Sequence, residues 1–185
     1  MIKTLSIPIE VAQLTAHETD SQEWIVEGYA TVFGNVNAYD FSIEKGAYSE
    51  LLTAGVTPKM FFNHDSFDLP IGKWTELAED ETGLKVRGVL TKGLSKAADV
   101  YAALKAGTVD GLSVGIGFEK EDVEHREDGT VVLHRISALP EISVCTFPAD
   151  RKARINEVLS TDQIDEKIET LQSLRDLEVF FKELG

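Results

Sequence analysis

Residues 104–118 read LKAGTVDGLSVGIGF and contain the plainest alternation in the chain. From Leu112 onward, an apolar side chain occupies every second position, and serine or glycine occupies the positions between. A period of two is the period of a β-strand, whose successive side chains point to opposite faces. The pattern therefore predicts a strand over 112–118 with one apolar face and one face of small residues.

Outward from this strand, most of the first two-thirds of the chain consists of short runs rich in β-branched and aromatic residues, separated by turn residues. Further strands are predicted at 2–9, 24–33, 59–64, 71–78, 84–91, 118–124, 131–136 and 142–147. Helices are predicted at 47–52, at 95–106 with Ser95 as the cap and Gly107 at the end, and at 151–159. These patterns predict a mainly β fold with peripheral helices, in the α+β class.

The C-terminal part has a different character. Ser160 and Gln163 fit a capping box that opens a highly charged helix with one apolar seam. Helices of this kind most often pair with another helix. We therefore expect one domain over residues 1–159 and a charged helical tail over residues 160–185, which would serve in recruitment or oligomer contact.

Composition limits the classes of partner. Acidic residues outnumber basic ones by 32 to 18, which gives a net charge of −14. Such a surface repels phosphate backbones and anionic lipid, so neither nucleic acid nor membrane is an expected partner. No apolar run reaches spanning length and the N-terminus does not read as a signal peptide, so we expect a soluble intracellular protein.

Two residues stand out as carriers of chemistry. His64 follows an aromatic run, and a strand end can hold a side chain rigidly while leaving it open to a ligand. Alone, such a histidine is more often a surface or capping residue. Ser113 has Gly115 and Gly117 as its same-face neighbours. The two glycines fit either the close approach of a substrate or a tight packing seam, and the spacing leaves both open.

Four segments together resemble a known family. They are GYATVFGN (28–35), FFNHD with PIGKW (61–65 and 70–74), LKAGTVDGLSVGIGF (104–118) and LPEISVCTFPAD (139–150). In this order they resemble the prohead maturation proteases of tailed bacteriophages, from about Trp24 to Arg154. The resemblance implies a β-barrel related to herpesvirus assemblin and the activity of a serine endopeptidase.

The same resemblance implies a catalytic set of Ser113 as nucleophile, His64 as base and Glu141 as third member. The chemistry agrees, because a base near neutral pH is best supplied by histidine and a carboxylate fixes its tautomer. Since the herpesvirus relatives use a second histidine in the third position, His134 and His125 stay open as alternatives to Glu141.

Other residues are weaker candidates. Asp65 is less attractive because adjacent strand residues point to opposite faces. Cys145 lies in an apolar setting, which predicts a buried, unreactive thiol. A metal site built from His64, Asp65, His134 and Glu141 is conceivable on composition, but no metal-ligand spacing supports it, and we expect neither metal nor cofactor.

The resemblance also implies a setting. The enzyme would act in the host cytoplasm inside the immature prohead. There it would cleave the scaffolding segment of the major capsid protein and also itself, and self-association is possible. Two other hypotheses stay open: a non-enzymatic assembly protein that keeps the protease fold, and a different, metal-assisted hydrolase.

Overall fold

The computed structural model describes residues 23–183, and their fold is mainly β with three α-helices at the periphery. The strands are β1 (Trp24–Val32), β2 (Phe41–Ile43), β3 (Lys59–Phe62), β4 (Gly72–Glu79), β5 (Gly83–Leu90), β6 (Gly111–Gly117), β7 (Val123–His125), β8 (Val131–Leu133), β9 (Ala138–Cys145) and β10 (Ile155–Ser160). The helices are α1 (Ser49–Thr53), α2 (Ser95–Lys105) and α3 (Thr161–Glu183), with a short 3₁₀ helix at Lys120–Asp122. The predicted fold class is confirmed; the predicted strand at 2–9 lies outside the described residues.

Seven strands form one sheet in the order β10-β1-β5-β4-β3-β9-β6, and β2, β8 and β7 form a small second sheet. Most pairs are antiparallel, but β3 runs parallel to β9. Because β3, β9 and β6 are neighbours, segments that lie far apart in the sequence meet at one end of the large sheet. This is where the candidate site lies.

The large sheet curls, so that its two ends approach each other. Gly111 at the start of β6 bridges Arg154, just before β10. Leu112 N donates to Ala153 O at 3.1 Å, and Ile155 N donates to Asp110 O at 2.8 Å. The sheet is therefore a partly closed barrel. Within the described chain, no strand pairs with the outer edge of β6 beyond Leu112.

The concave face of the sheet carries the hydrophobic core. Alternate strand residues point inward, as the period of two predicted, and among the fully buried ones are Val26, Leu84, Leu112, Ile142 and Val144. Ala97, Val100 and Leu104 of α2 complete this core. The packing fixes the register of β6 against β9, since a slip by one residue would turn the apolar positions outward.

The helix predicted at 151–159 is wrong, because Ile155–Ser160 forms strand β10. This strand pairs antiparallel with β1 from Trp24↔Ser160 onward, with a bulge after Glu27. The helical spacing of the apolar residues was a local signal, and the free backbone groups along the edge of β1 outweighed it.

The predicted caps have different outcomes. Helix α2 begins at Ser95, but the N-cap is the extended residue Leu94, and no side chain caps the helix. Gly107 follows the end of α2 with φ +68°, as the prediction of a glycine stop required. At α3, Gln163 Oε1 accepts from Ser160 N at 3.0 Å, which is one half of the predicted capping box. None of the helices within residues 23–183 is both long and apolar enough to cross a membrane.

Candidate active site

Strands β6 and β9 bring three of the site residues onto one face of the sheet. In their antiparallel register, Ser113 lies opposite Ser143 and Gly115 lies opposite Glu141. Residues paired directly across two strands share a face, and residues two apart on one strand do so as well. Ser113, Glu141 and Ser143 therefore form a compact group, although Ser143 was not singled out from the sequence.

His64 joins this group through a turn and not through a strand. The strand predicted at 59–64 ends at Phe62, because Asn63 and His64 have left-handed φ values of 53° and 59°. Three hydrogen bonds fasten the turn to β9 and the residue after it: Asn63 N donates to Val144 O (2.9 Å), His64 N to Ser143 Oγ (3.2 Å) and Thr146 N to Asn63 Oδ1 (2.9 Å). Such strained backbone persists where the surroundings over-determine it.

The imidazole of His64 contacts the carboxylate of Glu141. His64 Nδ1 donates to Glu141 Oε1 at 2.7 Å, and the His64 side chain is 44% exposed while that of Glu141 is 13% exposed. The hydrogen bond to Glu141 raises the pKa of His64 above its ordinary value, against the opposing effect of partial desolvation. Within residues 23–183, Nε2 makes no hydrogen bond, so the second nitrogen is available to a substrate or nucleophile.

Ser113 and His64 line one cleft of about 260 Å³. Ser113 is only 5% exposed, and the cleft that it lines gives access to its side chain. In the described part of the chain no hydrogen bond joins the two side chains directly. Unliganded hydrolases often show loose contacts of this kind, which tighten when substrate binds.

Much of the cleft lining is apolar. The larger apolar side chains that line it are Phe41, Ile43, Val114, Ile116, Phe118 and Phe147. The rings of Phe41 and Phe118 are tilted against each other with centroids 5.6 Å apart, which joins the small sheet to the end of β6. Phe147 also lines the cleft, and its side chain is 91% exposed.

Asp150 is a lining residue of the cleft with several hydrogen bonds. Its carboxylate accepts from Val32 N at 3.0 Å, from Asn35 Nδ2 at 2.6 Å and from Lys152 N at 2.9 Å. These bonds tie the end of β1 to the loop that follows β9. In the sequence Asp150 stands out only as part of a motif, because two of its three partners, Val32 and Asn35, lie more than a hundred residues away in the chain.

Gly115 provides space for the Glu141 side chain. A methyl group at this position would lie 3.0 Å from Cδ of Glu141 and would overlap its Oε1. At Gly117 the nearest atom to such a methyl would be Cβ of Ala138, at 3.1 Å. Of the two possibilities that the sequence left open, the packing seam describes Gly115 better, and what packs there is the Glu141 carboxylate.

The alternative third members lie elsewhere. His134 Nδ1 contacts Glu44 at 2.9 Å and its Nε2 contacts Glu124 at 3.2 Å, around the small sheet. His125 is the exposed last residue of β7. Neither histidine lines the cleft.

The structure does not assemble the metal set considered above. Asp65 turns toward Lys96 of α2, at 3.6 Å, and His134 is occupied at the small sheet. Among residues 23–183, no group of three or more histidine, cysteine, aspartate or glutamate side chains is arranged to hold a metal ion.

Cys145 is buried, as predicted. It is 2% exposed, and burial raises the pKa of its thiol to about 11. At neutral pH the thiol is therefore protonated and a poor nucleophile.

Comparison with known proteins gives one clear relationship. The family model described as caudovirus prohead serine protease matches residues 10–169. The chain is 43% identical over 185 residues to the prohead protease of Enterobacteria phage HK97, covering 99% of this chain and 77% of that protein.

Two solved herpesvirus structures also match. They are the KSHV protease in complex with a hexapeptide phosphonate inhibitor (12% identity, TM-score 0.46, 72% of this chain and 63% of that one) and the varicella-zoster virus protease (14% identity, TM-score 0.38, 60% and 57%). The chain spans less than two thirds of either solved chain.

Proposed function

Because the chain belongs to the family of caudovirus prohead serine proteases, we propose that it is a serine endopeptidase with Ser113 as nucleophile, His64 as general base and Glu141 as the group that orients the base. The observation that carries the assignment is the 2.7 Å contact from His64 Nδ1 to Glu141 Oε1 at the mouth of the cleft that Ser113 lines. A base fixed through Nδ1 presents Nε2 to the nucleophile.

Each side chain has a defined task in acyl transfer. His64 Nε2 accepts the Ser113 proton while Oγ attacks the peptide carbonyl, and the imidazolium then gives that proton to the departing amine. Water, deprotonated by the same imidazole, hydrolyses the acyl-enzyme and frees Ser113. Glu141 stabilises the imidazolium in both steps, which agrees with the raised pKa of His64.

An extended segment of substrate fits the unpaired edge of β6. Leu112 N donates outward to Ala153 O, and backbone groups two residues apart on a strand point the same way. Val114 therefore offers its N–H and C=O to the open edge, one residue after Ser113. We propose that substrate binds there as an added antiparallel strand, which would lay its peptide bonds along the nucleophile.

The wall formed by Phe41, Ile116, Phe118 and Phe147 suits an apolar substrate side chain. In an added strand every second side chain points to the same face, so one such residue would enter the cleft while its neighbours stay outside. A bulky aliphatic or aromatic substrate residue close to the scissile bond would cover the exposed side chain of Phe147.

The substrates and the setting of the reaction are proposed from the family to which the chain belongs. We propose that the substrates are the scaffolding segment of the major capsid protein and the enzyme itself, cleaved inside the immature prohead in the host cytoplasm. Residues 1–159 would form the catalytic domain. The tail over 160–185 would carry out recruitment or self-association, because Ile168, Leu171 and Leu174 of α3 expose apolar surface.

Co-expression with the major capsid protein of the same genome tests this proposal. Mass spectrometry of the assembled particles should find a shortened capsid protein with the wild-type enzyme and the full-length form with Ser113→Ala. Cys145→Ala is the matched control, because it removes a buried thiol that does not line the cleft and should leave processing intact.

Unchanged processing by a folded Ser113→Ala variant would refute the proposal. Full-length capsid protein in well-formed particles with every variant, wild type included, would instead identify a non-enzymatic assembly protein. Loss of processing on chelation would point to a metal-assisted hydrolase.

A further inference from the structure

Ser143 is a buried serine that contacts both members of the His64–Glu141 pair. Its side chain has 0% exposure, its Oγ donates to Glu141 Oε2 at 2.5 Å, and the same Oγ accepts from His64 N at 3.2 Å. We propose that Ser143 is a positioning residue which sets the geometry of the base and the carboxylate. This inference rests on the proposed function and assigns a role to a residue that does not touch the substrate.

The hydroxyl fixes the orientation of the carboxylate. One oxygen of Glu141 serves His64, and the other receives the Ser143 proton, so rotation about the last side-chain bond would break two hydrogen bonds. On the opposite side, the carboxylate lies against the bare backbone of Gly115. Glu141 is thus held from two directions, which an exposed carboxylate on a flexible side chain would not be.

The same hydroxyl also holds the backbone of the base. His64 has φ +59°, a left-handed conformation that is strained for a residue other than glycine. The bond from His64 N to Ser143 Oγ is one of the few that fasten the turn to β9. A serine hydroxyl has one proton and two acceptor sites, so it can make both contacts at once. Alanine would lose both contacts with almost no change in volume.

Ser143 is itself a serine bonded to a carboxylate beside a histidine, which raises the question whether it is the nucleophile. Two observations favour Ser113 instead. Ser143 does not line the cleft and is fully buried, whereas Ser113 lines it. The contact between Ser143 and His64 also involves the histidine backbone and not its imidazole.

The test measures how fast a fluorescent alkyl fluorophosphonate labels Ser113, since this probe reacts with activated serines and needs no known substrate. Ser143→Ala should slow the maximal labelling rate roughly 10- to 100-fold, because a misplacement of about 1 Å costs on the order of 100-fold. The probe concentration at half-maximal rate should stay the same. Ser49→Ala is the matched control: it removes another serine-to-glutamate bond, from Ser49 Oγ to Glu79 Oε2 (2.9 Å), outside the cleft.

Two further readouts separate positioning from a merely structural role. In the Glu141→Gln background, Ser143→Ala should slow labelling less than in the wild type, because one of the two groups that Ser143 positions, the Glu141 carboxylate, is already gone. In proton NMR spectra of nitrogen-15-labelled protein, the downfield signal of the His64 Nδ1 proton should broaden or vanish in Ser143→Ala. The same signal should persist in Ser49→Ala. The chain has four histidines, so assignment by substitution is practical.

Wild-type labelling by a folded Ser143→Ala variant with an intact Nδ1 proton signal would overturn the inference, and so would a full additive loss in the double variant. A fluorophosphonate adduct on Ser143 would overturn it as well. Failure of the underlying proposal has a different signature, since Ser113→Ala would then retain processing of the capsid protein.

Discussion

At the scale of single residues, the site depends on a short series of hydrogen-bonded side chains that runs from strand β9 to the cleft. Ser143 donates to Glu141, Glu141 accepts from His64, and His64 faces the cleft that Ser113 lines. Partial burial strengthens these contacts, because less water competes for the Glu141 carboxylate than for the exposed ion pairs elsewhere on the surface. These contacts predict how the reactivity of Ser113 depends on pH and on the packing around Glu141.

The first residue-scale prediction concerns pH. The bond from Glu141 raises the pKa of His64, so the imidazole stays protonated, and inactive as a base, to a higher pH than an ordinary histidine. The rate of fluorophosphonate labelling should therefore rise with pH through a midpoint above the ordinary histidine pKa of about 6.5. Glu141→Gln should move that midpoint to lower pH and reduce the plateau. A midpoint that does not move would mean that the pair is not coupled in solution.

The second residue-scale prediction concerns Gly115. Gly115→Ala would place a methyl group within 3.0 Å of Cδ of Glu141 and displace the carboxylate from His64. Labelling should slow by about 100-fold, as expected for a displaced orienting group. Gly129→Ala is the control for a general loss of stability. Gly129 has φ +91° in an exposed turn with nothing near its Cβ position, so alanine there strains the backbone without touching the site, and labelling should stay at the wild-type rate. If Ser113 is labelled at the wild-type rate in Gly115→Ala, the space at Gly115 is not needed to place the Glu141 carboxylate.

At the scale of elements, strand β9 organises the site. It pairs with β6, which carries Ser113, and runs parallel to β3, whose terminal turn carries His64. Three hydrogen bonds fasten that turn, and two of them involve Asn63. Asparagine tolerates the left-handed region better than most residues, which explains its place before the histidine.

The turn gives an element-scale prediction. Asn63→Ala should lower the free energy of unfolding by about 1–2 kcal/mol through left-handed strain, and should also slow labelling of Ser113. Asn63→Gly removes the strain but also the Asn63 Oδ1 bond to Thr146 N, so its stability should recover more than its labelling rate. Chemical denaturation and labelling kinetics measure the two effects. Equal recovery of both would show that the side-chain anchor has no part in placing His64.

Elements were predictable where they depend on local pattern. The alternation of 112–118, the hairpin β4–β5 and helix α2 were recognised, because period and turn residues lie within a few positions of one another. Strand β10 was missed because its extended form depends on the distant edge of β1. The end of β3 at Phe62 was missed for a similar reason, since the bonds that turn the chain at His64 come from β9.

In the candidate site too, residues that belong to local motifs were predicted, and residues that act through distant contacts were not. Ser113, His64 and Glu141 were named from the motifs of a resemblance, and the structure brings the imidazole and the carboxylate into contact. Ser143 and Asp150 were not assigned roles, because a buried serine or aspartate has no local sequence signature of its partners. Both act through contacts between distant segments, which only the folded chain reveals.

At the scale of the whole molecule, exposed polar contacts join helix α3 to β10, to α2 and to Glu23, which precedes β1. Lys167 Nζ meets Glu157 Oε1 at 2.9 Å, Lys105 Nζ meets Gln163 Oε1 at 3.4 Å, and Glu23 N donates to Thr161 Oγ1 at 2.8 Å. These are exposed interactions, and each contributes little to stability. The apolar side chains of α3 at Ile168, Leu171 and Leu174 are 46–58% exposed.

Removal of residues 161–185 should therefore leave the sheet and the cleft intact. We expect the thermal unfolding midpoint to change by only a few degrees and labelling of Ser113 to stay at the wild-type rate, because none of the described side chains in the deleted part lines the core or the cleft. Incorporation into particles in co-expression should fall. If incorporation and product masses both match the full chain, the tail has no role in recruitment or self-cleavage.

The most direct test of the account identifies by mass spectrometry which residue the fluorophosphonate modifies. The account predicts one adduct on the peptide that contains Ser113, with labelling slowed by orders of magnitude in His64→Gln and abolished in Ser113→Ala. An adduct on any other residue, or labelling of Ser113 at an equal rate in a folded His64→Gln variant, would contradict it.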